Sequence, residues 1–266
     1  MNLNFKDSLG INDKKSFKPF NLKTKVVFSY TDTGEILFTK SNKITLAGAG
    51  FLARALFDLN IAEVTPSYNN ALSLDNTVNT TTPTSSNKTH LFCVGIDGCG
   101  VINSDVYVED YKHWISPANL VPFQYLPSIK DLDNNQRQLY FGKKTSLDHN
   151  AYYFKAFDSN PTLTQQLTDG TTIDNTIYDS TSELQAQTIV SMQMSISDSD
   201  CRDYFIETTG IADARINSIS LCTGWAKTID NFTYYQDIRP CTRLNFPNEA
   251  LIDLEKGITI NYYIYF

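Results

Sequence analysis

Alternation of apolar and polar residues runs through this chain, and it is sharpest over Gln187–Ser197. Thr188, Val190, Met192, Met194 and Ile196 share one face; Gln187, Ser191, Gln193, Ser195 and Ser197 share the other, with Ile189 the one exception. A period of two over that length predicts a half-buried antiparallel strand. The closing segment repeats the pattern, with Ile258, Ile260, Tyr262, Ile264 and Phe266 on one face. It predicts a final strand inside a sheet, so that carboxy-terminal tags or loss of Tyr262–Phe266 should damage folding. Between His90 and Asp97 the pattern changes: Leu91-Phe92-Cys93-Val94-Gly95-Ile96 is apolar on both faces and predicts a fully buried strand. Asp97-Gly98-Cys99-Gly100 then predicts a tight turn into an extended Val101–Val108 segment. Pro117 and Pro122 predict an exit from the sheet toward the surface.

Weaker signals fill in the rest. Lys25–Tyr30 and Glu35–Thr39 flank Thr31-Asp32-Thr33-Gly34 and predict a hairpin, with Gly34 free to take a positive φ. Gln138–Gly142 with Ala151–Phe157 predicts a second strand pair, and Arg215–Trp225 another strand. Helical periodicity is confined to Phe51–Leu59, where Phe51, Leu52, Ala55, Leu56 and Leu59 form one stripe. A short helix is also predicted after Asp198-Ser199-Asp200, which would cap it, through Glu207 to a stop at Gly210. Thr65–Thr89 and Pro161–Ser182 are poor in apolar residues and predict long loops. The resulting class is mainly β: an antiparallel β-sandwich or barrel-like domain with one or two short helices and long loops, spanning 25–266. Residues 1–24 form an N-terminal arm with isolated Leu3, Phe5, Leu9, Ile11, Phe17 and Phe20. Either Phe5, Phe17 and Phe20 anchor the arm on a neighbouring subunit, or it packs on its own domain.

Composition reinforces the β reading. The 266 residues include 15 Tyr and 16 Phe but only 3 Met, a bias toward pleated surfaces over helix bundles. A net charge of −7 opposes binding to a phosphate backbone. The densest basic stretch, Lys14-Lys15 through Lys18, Lys23 and Lys25, is modest, so dedicated nucleic-acid binding is not expected. No apolar stretch approaches the ~20 residues of a membrane span. Met1–Asp7 lacks a signal-peptide core, and the chain is expected to be used without secretion.

Candidate chemistry adds little. Cys93, Cys99, Cys201, Cys222 and Cys241 are odd in number, and none forms C-x-x-C; they read as small buried hydrophobes. His90, His113 and His149 are too scattered to predict a metal centre. Gly48 and Gly50 lack the lysine and serine of a phosphate loop, and there is no G-x-S-x-G elbow. Acidic groups at Asp97/Asp105, Asp169/Asp174 and Asp198/Asp200/Asp203 lack the spacing of a calcium loop. Carboxylate pairs such as Asp203 with Glu207 can be nominated for glycoside hydrolysis, but nothing selects one. No catalytic, cofactor-binding or metal-ligating residue is therefore predicted, and no cofactor.

Three stretches carry a resemblance. They are Val27–Phe38 running into Phe51–Phe57, Phe92–Gly100 followed by Leu120-Val121-Pro122-Phe123, and the closing Ile258–Phe266 strand. Together they resemble the virion structural proteins of tailed bacteriophages, over much of the chain from Lys25 onward. The resemblance implies a non-enzymatic subunit of the tail, neck, baseplate or capsid surface, made in the host cytoplasm. Its partners would be other copies of itself and other virion structural proteins, assembled through arm and loops into a ring or lattice. Two other readings stay open. A carbohydrate-binding module of a host-receptor apparatus predicts Trp114 and Trp225 exposed along one face. A polysaccharide hydrolase predicts two carboxylates facing each other across a cleft.

Overall fold

The computed structural model describes residues 23–41, 43–44, 68–75, 88–102, 105–108, 114–128, 130–167, 186–210, 214–229, 231–247 and 257–265. The arm predicted to carry Phe5, Phe17 and Phe20, and the helix predicted over Phe51–Leu59, lie outside these residues. The first strands are β1 (Lys23–Tyr30), β2 (Ile36–Lys40) and β3 (Lys43–Ile44), followed by helix α1 (Tyr68–Leu72). Next come β4 (Lys88–Gly95), β5 (Cys99–Ile102), β6 (Asp105–Val108), β7 (Leu120–Val121) and β8 (Gln124–Pro127). Then follow β9 (Tyr140–Thr145), β10 (His149–Ala156), β11 (Thr162–Leu167), β12 (Ala186–Ile196) and helix α2 (Arg202–Thr208). The chain closes with β13 (Ser218–Ile229), β14 (Phe232–Pro240), β15 (Thr242–Asn245) and β16 (Ile258–Tyr265).

These strands form an antiparallel β-sandwich with few helices. One sheet has five strands in the order β11-β12-β16-β1-β2. The larger one runs β3-β15-β13-β4-β10-β8, with β14, β7 and β9 added to β13, β4 and β10, while β5 and β6 form a separate two-stranded hairpin. β16, the closing strand, lies in the middle of the smaller sheet: Tyr262 pairs with Val26 of β1 on one side and Met192 of β12 on the other. Its inward side chains Ile258, Ile260 and Tyr262 are buried beside Met192, Met194 and Ile196, as alternation requires. Phe28 joins them, stacked on Phe38 at 4.3 Å and tilted against Phe246 at 5.3 Å. Gly34 ends the β1–β2 turn at φ 69°, a conformation a side chain would resist.

β4 explains the unbroken apolar run. Phe92 and Val94 enter the core between the sheets, while Leu91 and Cys93 enter a second core on the far side. That second core holds Tyr68 and Leu72 of α1, Ile115, Phe141, Phe154, Cys222 and Ile238. A central strand covered on both faces has no polar face to show.

Several expectations are corrected. Thr65–Thr89 is not all loop, because α1 sits in it; Tyr68 and Leu72, one turn apart, and Asn69 beside them are buried, while Asn70 and Ala71 face out. Pro161–Ser182 contains β11, which pairs along β12 from Thr162↔Ser191 to Leu167↔Ala186. As an edge strand it takes its stability from backbone pairing and needs little apolar content. The stretch after Pro117 does not leave the sheet: Val121 pairs with Val94, and Phe123 is buried. The Asp198–Asp200 cap is also replaced. α2 starts behind Cys201, at φ 64° and with no side-chain cap, because the Asp200 carboxylate turns into the core. Gly210 ends that helix as expected, donating its N–H to the Phe205 carbonyl at 2.7 Å with φ 86°.

Candidate functional site

Apart from the buried Arg239, which pairs with Asp237 at 2.7 Å, three clusters gather the charge that the described residues bring inside or near the core. The first fixes the turn after β4. Arg243 on β15 places Nη2 2.6 Å from Asp97 Oδ1, and both side chains are only 3% exposed. Its Nε donates to Asn245 Oδ1 at 2.7 Å, and Nη1 donates to the Trp114 carbonyl. Asp97 accepts further hydrogen bonds from the Ser116 amide at 2.9 Å and the Ser218 hydroxyl at 3.2 Å. Close approach makes the network possible: a side chain on Gly98 would meet the Asn217 carbonyl oxygen at 2.0 Å. The Gly98 N–H instead donates to Asn217 Oδ1 at 2.6 Å.

The second cluster ties β8, β9 and β10 to the turn before α2. Lys155 Nζ lies 2.6 Å from Asp200 Oδ2. Asp200 also accepts from Tyr140 Oη at 2.7 Å, Gln124 Nε2 at 3.2 Å and the Ser197 amide at 2.8 Å. Burial, reinforced by the charge of Asp200, pushes the Tyr140 hydroxyl well above the usual tyrosine range. Both carboxylates are sealed from solvent and occupied by fixed donors. Such a carboxylate locks segments together and offers no face to a substrate.

The third cluster is more open. Asp131 takes Lys143 Nζ at 3.1 Å, Arg137 Nη2 at 3.7 Å, the Leu132 amide at 2.9 Å and the Tyr152 hydroxyl. Burial alone would raise its carboxyl, but the Tyr152 hydroxyl and Lys143 outweigh that and hold it below the usual carboxylate range. The Arg137 guanidinium also lies 3.8 Å from the centre of the Phe232 ring.

The residues singled out from sequence do not converge. His149 stacks on Tyr125 at 4.3 Å with Nδ1 2.6 Å from Asp148 Oδ1, and His90 sits half-buried on β4. His113, Asp169 and Asp174 lie outside the described residues. Among the described residues, no three His, Cys, Asp or Glu side chains gather as a metal ion would need. No described helix is long and apolar enough to cross a membrane. Asp203 and Glu207 both lie exposed along α2. Trp114 is half-buried and stacked on Tyr68 at 5.0 Å, and Trp225 is half-buried on β13. None of the five cysteines is in a disulfide, and the Cys93 and Cys222 thiols share a hydrogen bond at 3.6 Å between sulfurs. Burial pushes the Cys201 and Cys222 thiols well up, and that of Cys241 to about 11.

Sequence reasoning missed both buried ion pairs. Lys155 gave a signal, a lone charge inside the apolar Ala151–Phe157 run. Arg243 gave none, because its partner is 146 residues away. Comparison with family models, curated proteins and solved structures finds no match to the chain.

Proposed function

We propose that this chain is a non-enzymatic structural subunit of a tailed-bacteriophage virion, built into a ring or lattice of the tail, neck, baseplate or capsid surface. The observation that carries the assembly reading is the smaller sheet's pair of edges. Among the described residues β2 and β11 end that sheet, and they hold Ile36 at 63% and Leu163 at 65% exposure. Sheet edges present backbone donors and acceptors in register for another chain, and an apolar residue on such an edge adds to the attraction. The non-enzymatic half of the reading draws support from the closed state of Asp97 and Asp200. The bacteriophage assignment rests on the sequence resemblance. In this reading the subunit works by interface burial; an obligate interface commonly exceeds ~2,000 Å² in total.

Two measurements test it together. Mass photometry and sedimentation of the full chain should show assemblies larger than one copy. Cryo-electron microscopy of purified particles should find density for the sandwich at a symmetric position. A chain that stays monomeric and is missing from purified particles would overturn the proposal.

A further inference from the structure

An open groove of about 690 Å³ runs between the 3-10 turn Gln136–Gln138 and the β13–β14 hairpin. That volume falls within the ~300–1,000 Å³ of small-molecule sites. Its rim is made of side-chain amides: Asn134, Gln138 and Asn231 all line it and all are exposed. Each amide both donates and accepts, so together they match a ligand whose groups also do both. Thr233 adds a hydroxyl to the lining.

Beneath the rim the surface turns aromatic. Phe141 and Tyr235 meet edge to face at 4.8 Å and form the floor, with Phe232 on the wall. Charge in the groove is balanced. Arg137 is the one formally charged side chain among the lining residues, and it is held between the Phe232 ring and the Asp131 carboxylate. An anionic ligand would have to share Arg137 with the Asp131 carboxylate, 3.7 Å away, and would be repelled by it. A neutral ligand with many hydroxyls and small apolar faces fits both layers without that cost. The hydroxyls would exchange hydrogen bonds with the amides, and the faces would lie against the rings.

We propose that this groove binds a short neutral oligosaccharide. The amides of Asn134, Gln138 and Asn231 hold its hydroxyls, and Tyr235 takes an apolar ring face beside the Phe232 ring, one face of which Arg137 covers. The site is separate from Trp114 and Trp225 and does not depend on the assembly role. A subunit that assembles but binds no sugar would fail here alone, and a sugar-binding chain that never assembles would fail the other reading alone.

The full-length chain is screened on an array of neutral and acidic oligosaccharides, and the strongest neutral glycan on the array is then titrated by calorimetry. Binding should appear to at least one neutral oligosaccharide. Gln138→Ala and Asn134→Ala should each weaken it about tenfold, the loss expected for one or two hydrogen bonds, with the unfolding midpoint unchanged. Because both residues are exposed, folding should survive either change. An array with no neutral glycan bound, binding of acidic glycans only, or binding untouched by both variants would each overturn the proposal.

Discussion

Arg243 and Asp97 are each 3% exposed, so truncating either one leaves an uncompensated charge among apolar and backbone groups. Arg243→Ala or Asp97→Ala should therefore lose about 3–5 kcal/mol of folding stability, read as a lower urea midpoint with an unchanged slope. An Arg243→Ala protein with an unaltered midpoint would show that the pair is dispensable. Asp131 behaves differently because it is 42% exposed, and solvent screens its partners. Its carboxyl lies below the ordinary 3.8 in the folded chain, so the unfolded chain binds the proton more readily. The stability this contributes is complete above about pH 4 and is lost as the pH falls through the lowered value. Asp131→Asn should remove that contribution at neutral pH and flatten the acid limb of a stability–pH curve. An unchanged acid limb in the variant would contradict the assignment.

At the level of elements, the closing strand carries the largest consequence. β16 hydrogen-bonds to two neighbours at once, so removing Tyr262–Phe266 breaks the smaller sheet through its middle and uncovers Val26 and Met192. The truncated chain is expected to be aggregated or unfolded by circular dichroism, and a stable, soluble truncation with native strand content would refute that. Strands of this kind were legible in the sequence because burial on one face or both writes a pattern into it. β12 and β16 showed a period of two, β4 an unbroken apolar run, and the β1–β2 hairpin its turn. β11 was not legible, since an edge strand is held by backbone bonds that any residue can make. α1 was not legible because two buried apolar side chains, Tyr68 and Leu72, are too few to show a period. The candidate site was less visible still. Arg243 meets Asp97, and Arg137 meets Phe232, only through long-range folding, and no local spacing encodes either contact.

Across the whole molecule, the two edges of the smaller sheet are the natural places for a second chain to join. β2 and β11 run in the same direction, because three antiparallel strands separate them. Antiparallel pairing that keeps both sandwiches on the same side of the continued sheet therefore joins like edges, β2 to β2 or β11 to β11, about a two-fold axis. Ile36→Lys and Leu163→Lys place charge at those edges, which disfavours edge-to-edge pairing. Each should shift the assembled chain toward monomer in sedimentation, with the unfolding midpoint held within about 0.5 kcal/mol as for other surface changes. Unchanged assembly in the double variant would move the interface elsewhere. The pairing of β1 with β16 also sets an order of events in time. Lys23 finds its partner in Tyr265, so the smaller sheet cannot close while the chain is still emerging from the ribosome and residues 258–265 are unmade. Closing contacts so distant in sequence is slow, and meanwhile Val26 and Phe28 stay open to capture by chaperones. A pulse-chase with limited proteolysis would see this as protease resistance that appears only after the last strand is synthesised.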